Sequence, residues 1–388
     1  MHFQISECIF FIYMVAKELI KFFEDWAPPG VAWEKDNVGL QVGSGKRKVN
    51  NIFLCLELTE KALYEAIKKK ADFIFTHHPL LFKPLNKINT DADQKGRIID
   101  LLIKNDITLY SAHTNLDFTK DGVSFELARV LGINNPKFLL NERSNQYKLV
   151  VFIPEKDFGR VSQNLFDVGA GIIGEYEKCG FSINGTGSFQ GSEYSNPALG
   201  KRENFESVEE VRFEVIVDSW NLRKVIDALR SSHPYEEPAF DVYPLENENM
   251  NYGYGAIGEL EKSMKVRDFL KYVSKSLKTA NFRYTAGKSR IIKTVAVCGG
   301  SGADLLNSAI KKGADAFITA DIKYHPFQDA ENRILFIDAG HYETEIHVLN
   351  IVKSKLEKFI KSSGRSVRVF KFTGSSNPVK FFNNKGVK

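Results

Sequence analysis

Cysteine is scarce in this 388-residue chain, and Cys8, Cys55, Cys179 and Cys298 stand far apart with no C-x-x-C pair. That spacing excludes a zinc knuckle and suits a reducing, cytoplasmic compartment. No apolar run approaches the ~20 residues that a membrane-spanning helix needs. Residues 8–16 are apolar, but Glu7 and the pair Lys17-Glu18 flank them, no basic segment precedes them and no clean small-residue cleavage site follows. They read as an extension leading into a helix that runs to about Phe23, with Met14 as an alternative start, and not as a membrane anchor. The dinucleotide fingerprint and the Walker lysine and serine are also missing. Gly299-Gly300-Ser301-Gly302 sits between a strand and a helix, where backbone N–H groups can cradle phosphate, yet its spacing makes the nucleotide signal weak.

A large charge of one sign is lacking too, the net being +5. Its placement is uneven, because residues 351–388 hold ten lysines and arginines against the single acid Glu357. A solvated basic face explains that tail better than an anionic partner does. What is present is ample apolar material. At 43% apolar and 12% aromatic, a chain of this length can fill the cores of two or three domains.

Ala71-Asp72-Phe73-Ile74-Phe75 reads as a buried strand of an α/β sheet, and it opens directly onto Thr76-His77-His78-Pro79. Sheets of this class keep their sites at the carboxyl ends of strands. On an extended backbone, adjacent histidines point in different directions, so two ions, each taking one imidazole, fit better than one ion taking both. The alternative is a plain surface turn.

Ile52–Leu56, a helix over 60–69 and Ala71–Phe75 form a β-α-β unit that recurs 243 positions later without a gap. Ile52-Phe53-Leu54-Cys55 falls on Val295-Ala296-Val297-Cys298, and residues 71–76 fall on 314–319. After a register change of fifteen residues, the strand ending at His113 corresponds to the strand ending at His341, and each histidine is followed four positions later by an acid, Asp117 or Glu345. This internal repeat implies two related lobes facing across a cleft.

Between the copies, Lys148–Ile153 and Val211–Val217 each read as a strand followed by a helix, with Phe158, Val161 and Leu165 inward in one and Leu222, Ile226 and Leu229 inward in the other. Strands near 185–189 and 239–243 complete two strand-helix-strand units, the pattern of a small ferredoxin-like α+β insert. His233-Pro234-Tyr235-Glu236-Glu237-Pro238 reads as a rigid turn in preference to a cation site. Residues 254–285 read as a helix with flanking turns. The expected organisation is α/β: a first lobe with N-terminal extension over 1–138, the insert over 139–252 and a second lobe over 253–388.

His77, His78, Asp117, His341 and Glu345 thus form an ion-binding set of imidazole and carboxylate, a mixture suited to two divalent ions per chain, zinc first and manganese or iron as alternatives. Two ions about 3.5 Å apart can share a carboxylate and leave positions open for water. The expected division puts His77 and Glu345 on one ion and His78 and His341 on the other, with Asp117 bridging. His325, Asp321 and His113 border the cavity as proton-transfer or supporting groups, or are satisfied core polar groups; His325 joins Asp117 as the candidate catalytic pair.

The chain resembles, over nearly all its length, the bacterial dinuclear-metal proteins known as homologues of type 2 GTP cyclohydrolase I, in the long form that carries an inserted domain. The matching stretches are Asp36–Leu40, Thr76–Pro79, His113–Asp117, Ala296–Gly302, Thr319–His325 and Gly340–Glu345. The resemblance implies a two-lobed α/β core, an insert similar to the PII signalling and divalent-cation-tolerance proteins, and a homohexameric ring with metal pairs facing its interior. It places the metal ligands on the same five residues. It also implies hydrolytic opening of the imidazole ring of GTP with release of formate.

Three functions follow as expectations. The first is a metal-dependent hydrolase of a nucleotide or other phosphorylated small molecule. The second is a metal-binding regulatory or scaffold ring without turnover. The third is nucleic-acid binding through the basic tail, where Phe359, Phe370, Phe372, Phe381 and Phe382 interleave the charges. A helix over 345–360 and a strand over 367–372 account for most of those aromatics without base stacking.

Overall fold

Strands that run through the middle of a parallel sheet are covered on both faces and therefore need continuous apolar sequence. All the residues of Asn51–Cys55, Phe73–Thr76 and Thr108–Ser111 are buried. These three strands lie side by side in parallel, with Arg368–Lys371 added in parallel beside Asn51–Cys55 and Gly39–Val42 antiparallel beside Thr108–Ser111. One face packs Leu54, Phe73, Phe75 and Tyr110 against Leu19 and Phe23 of the helix Ala16–Trp26 and against the helix Val348–Ser362. The other packs Phe53, Ile74 and Leu109 against Leu63 and Leu102 of the helices Glu60–Lys68 and Gln94–Lys104. Thr59 caps the first of these by accepting the Ala62 N–H, and Asp93 caps the second by accepting from Lys95 and Gly96.

The computed structural model describes residues 13–143 and 145–382. Two compact units emerge, one of residues up to 140 together with those from 254 onwards, the other of Asn141–Gly253.

A second sheet orders Arg283–Thr285, Leu335–Asp338, Ala316–Ala320, Ile291–Ser301, Asn249–Lys265 and Ile133–Glu142. Its parallel trio repeats the register of the first. Ile52 pairs with Phe73, and Val295, 243 positions on, pairs with Ala316. In the third strands Phe73 pairs with Thr108 and Ala316 with Leu335, one position off the alignment of His113 with His341. The difference is taken up after the strand: His113 follows Ser111 by two residues, and His341 follows Asp338 by three.

The unit 141–253 holds a four-stranded antiparallel sheet in the order Phe240–Pro244, Gln146–Pro154, Phe205–Asp218, Gly180–Gln190. Helices Phe158–Asp167 and Leu222–Ser232 bury Val161, Leu165, Val225 and Leu229 against Leu149, Val151, Phe213 and Val215. Val225, and not the expected Ile226, is the fully buried residue of its turn.

Two expectations change. Residues 254–285 carry a helix only over Val266–Leu277; the stretch before it continues the strand Asn249–Lys265, because Gly253, Gly255 and Gly258 weaken a helix while Ala256 and Leu260 alternate inward. The helix expected to grow out of residues 8–16 starts at Ala16, and Met14-Val15 instead pairs antiparallel with Lys48-Val49. The leading part of that extension, residues 8–12, lies outside the described residues. Among the described residues no helix is long and apolar enough to cross a membrane.

Candidate metal centre

Phe73–Thr76, Thr108–Ser111 and Leu335–Asp338 all end near one place, and each is followed by a histidine. After Thr76 the chain bends, and the N–H groups of both His77 and His78 donate to the carbonyl of Leu56, at 3.1 and 3.0 Å. An extended backbone would have splayed the two imidazoles. The bend instead keeps their ring centroids 4.9 Å apart, on one side of the chain. His113 lies 5.3 and 5.4 Å from these two rings, and His341 lies 5.4 Å from His78.

Every one of the four rings has its Nδ1 tied to an oxygen. His77 Nδ1 meets the Ala112 carbonyl at 2.8 Å, His78 meets Glu57 at 3.0 Å, His113 meets Asp36 at 3.0 Å and His341 meets Asp321 at 2.6 Å. Such contacts fix the ring and its tautomer and leave Nε2 as the free donor atom. Asp36 is itself held by the N–H and hydroxyl of Thr114. The Nε2 atoms converge on two carboxylates. Glu345 Oε1 lies 3.1 Å from His341 and 3.9 Å from His77, its Oε2 lies 3.0 Å from His78, and Asp117 Oδ1 is 3.6 Å from His77.

Burial and charge explain the protonation of this cluster. Burial pushes His77 down to about 3, so its imidazole is neutral. Burial opposes the charged forms of His78 and His341 as well, but hydrogen bonds to Glu345, with Glu57 in one case and Asp321 in the other, overcome it and raise them to about 10 and about 9. Burial works against the Glu345 anion, yet these imidazoles hold its carboxyl below the usual range. Burial and the Glu345 charge together push Asp117 up.

The donor set fits divalent metal. His77 Nε2 and Asp117 Oδ1 are buried with no hydrogen-bond partner, an expensive arrangement unless a cation completes it. His77, His78 and His113 form one group whose ligand atoms all lie within 4.8 Å of one another, and His78, His341 and Glu345 form another. Imidazole nitrogen with carboxylate oxygen is the chemistry of zinc, manganese and iron sites.

Glycine is required twice for this packing. At Gly300, with φ +61°, a Cβ would stand 2.2 Å from Glu345 Oε1, so the glycine run after Val295–Cys298 admits the carboxylate. At Gly340, with φ +93°, a Cβ would meet Glu343. Thr344 adds a link by accepting the Gly300 N–H at 3.0 Å.

His113 and Asp321, expected only at the border, sit in the cluster and on His341 respectively. His325 lies on the helix Tyr324–Ala330, where its described contacts are Gln328 and the ring of Tyr324. Sequence reasoning missed Glu57, and it named Asp36 only at the start of the matching stretch Asp36–Leu40, with no role at the site. The signal for Glu57 was available, since it is an acid two residues past the end of the strand next to the histidine strand. In the tail, Phe359 stacks on Phe22 and Phe372 lies against Phe53, whereas Phe381 and Phe382 are exposed. His233 is satisfied by backbone, its Nε2 donating to the Phe152 carbonyl and its Nδ1 accepting the Tyr235 N–H.

Comparison with known proteins gives one consistent picture. Residues 14–378 match the profile of the family described as Duf34/NIF3 (NGG1p interacting factor 3). A protein of Halalkalibacterium halodurans named GTP cyclohydrolase 1 type 2 homolog is 40% identical over 94% of this chain and 98% of its own length. A protein of the same name from Bacillus subtilis is 35% identical over the same shares. The crystal structure of a Bacillus cereus protein related to NIF3 superposes with a TM-score of 0.81 at 37% identity, covering 96% of this chain and all of the other.

Proposed function

This chain belongs to the Duf34/NIF3 family, and from that premise we propose that it is a dinuclear-metal-dependent hydrolase of a nucleotide or another phosphorylated small molecule. The observation that carries the reading is the convergence of the Nε2 atoms of His77, His78 and His341, each ring fixed through Nδ1, on Glu345 and Asp117, with His113 grouped beside His77 and His78. His77, His78, Asp117, His341 and Glu345 would hold the ions, zinc first and manganese or iron as alternatives. Glu345 touches three imidazoles and Asp117 one, so the distances favour Glu345 over Asp117 as the shared carboxylate. A divalent pair there would supply Lewis acidity and make water more acidic near neutral pH. The chain's own part is to hold three of these ligands, His77, His78 and His341, in place through the Ala112 carbonyl, Glu57 and Asp321, and to offer His113, fixed by Asp36, beside the ions as a group that can hold a substrate or a proton. GTP, the substrate suggested by the relatives' name, belongs in the test panel.

The finer architecture belongs to the same proposal. The shared register of the two parallel trios supports two duplicated lobes. The fourth-first-third-second strand order of the unit 141–253, with a helix after its first and third strands, supports a ferredoxin-like insert of PII type. A lobe over 1–138, an insert over 139–252 and a lobe over 253–388 then divide the chain, with a cytoplasmic homohexamer as the assembly.

The test is hydrolysis of a panel of nucleotides and phosphomonoesters by the manganese- or zinc-loaded protein. Turnover of a panel member that is lost in Asp117→Asn and His341→Ala is expected. Activity surviving both substitutions would belong to a contaminant. One observation favours the second reading, a regulatory ring without turnover: the insert carries a cavity of about 550 Å³ lined by Phe189, Tyr194, Tyr235 and three glutamates. No turnover with both ions bound, together with ligand binding to the insert, would establish that reading instead.

A further inference from the structure

A cavity of about 390 Å³ opens beside the metal cluster and shares His341 and Glu57 with it. That volume lies in the range of small-molecule sites. One wall comes from the segment after the strand Arg368–Lys371, which brings Pro378, Val379 and Phe381 to the cavity; Phe282 lines it as well. Phe381 leaves 56% of its surface exposed, an aromatic face able to stack on a flat ring.

The polar groups around the cavity fall into two classes. Its four carboxylates are already paired: Glu57 with His78 and Ser376, Asp321 with His341, Asp338 with Arg283, and Glu343 with Asn377. Three other groups have capacity left among the described contacts. Arg283 spends only Nη2, on Asp338 and the Ile322 carbonyl, and keeps Nε and Nη1. The side-chain amide of Asn281 and the hydroxyl of Tyr342 make no hydrogen bond among the described residues. Arg283 is also the one lysine or arginine among the lining residues.

A cation with spare donors calls for an anion, an exposed phenyl calls for a ring, and a free amide calls for a hydrogen-bonding edge. A bare phosphate would leave Phe381 and Val379 uncovered, and a bare hydrocarbon ring would leave Arg283 and Asn281 unused. Resting on the reading of the cluster as a hydrolytic metal centre, we propose that this cavity is the substrate subsite and takes a nucleoside monophosphate moiety. The heteroaromatic base lies against Phe381, its edge meets Asn281, and its anionic group meets Arg283. The C-terminal segment is thereby the specificity-determining wall. Its position is tied to the metal site, because Ser376 donates to Glu57, the residue that holds His78, and Asn377 donates to Glu343 at 2.9 Å.

The experiment is calorimetric titration of the full-length, manganese-loaded chain with GMP and AMP, and with guanosine, ribose 5-phosphate and inorganic phosphate as separate arms. A mononucleotide should bind more tightly than any of the three fragments. Phe381→Ala should weaken mononucleotide binding about tenfold or more with metal content and melting temperature unchanged. Arg283→Ala should weaken the mononucleotide and leave guanosine unaffected. Should Arg283→Ala misfold through loss of its Asp338 contact, Phe381→Ala and Asn281→Ala carry the test alone. Failure of every mononucleotide to bind, equal binding of ribose 5-phosphate, or affinity untouched by Phe381→Ala would overturn the assignment. Mononucleotide binding without turnover would support the subsite and remove the hydrolase reading, whereas turnover with a KM indifferent to Phe381→Ala would do the reverse.

Discussion

Glu345 and His341 stand one turn apart on the same short helix, with Oε1 and Nε2 3.1 Å from each other, while the other oxygen of Glu345 reaches His78 at 3.0 Å. A single carboxylate therefore joins imidazoles from opposite ends of the chain. Glu345→Gln keeps the shape and removes the charge. Elemental analysis of protein purified without chelator should fall from about two ions per chain to one or fewer. Two ions retained in this variant would contradict the role given to Glu345.

Glu57 contacts no proposed ion directly; it holds Nδ1 of His78 at 3.0 Å. Glu57→Gln should weaken metal affinity roughly 10- to 100-fold, as loss of such supporting carboxylates does. Competition with a chromogenic chelator measures it. An unchanged affinity would mean that His78 needs no orienting partner.

Gly300 offers a test by addition. In Gly300→Ala the new methyl would stand 2.2 Å from Glu345 Oε1, on a backbone with φ +61°. Strain of about 1–3 kcal/mol is expected from the backbone alone, together with a displaced carboxylate. The melting temperature should drop and metal content should fall with it, whereas full metal loading at native stability would show that the strand end has room to spare.

His233 predicts a pH dependence in the unit 141–253. Burial lowers its pKa from 6.5, and its Nδ1 must stay unprotonated to accept the Tyr235 N–H. As pH falls below 6.5, the unfolded chain takes up the proton before the folded one does. The stabilisation from the neutral ring is therefore complete above about 6.5 and is lost progressively as pH drops toward the lowered folded value. Thermal melts between roughly pH 7 and pH 5 should show that slope, and His233→Gln should flatten it. An identical slope in the variant would assign the effect to other groups.

Much of the central sheet is legible in the amino-acid order because parallel strands buried on both faces must be apolar throughout, as Ile52–Cys55 and Phe73–Phe75 are. The histidines were legible because they follow such strands, and His113 and His341 because the pattern repeats. The closeness of His77 to His78 was not, since it depends on one carbonyl, that of Leu56, receiving two N–H groups. Glu57 was missed for a related reason: a residue that supports a ligand needs only to lie near it in space and carries no spacing of its own. Around residue 255 a helical reading outweighed the glycines, and the pairing of Ala256 with Val297 shows how neighbouring strands settled the matter.

Arg368–Lys371 pairs with Asn51–Cys55, and Glu345 meets His77 and His78. Both contacts join the first third of the chain to its last fifty residues. On a ribosome the early histidines emerge long before their carboxylate does; the 228 residues separating Asp117 from Glu345 take on the order of tens of seconds to synthesise. During that interval the strand Asn51–Cys55 has an open edge, and any ion that arrives finds imidazoles without Glu345. A chain stopped before residue 345 would carry the histidine pair without the carboxylate that gathers it.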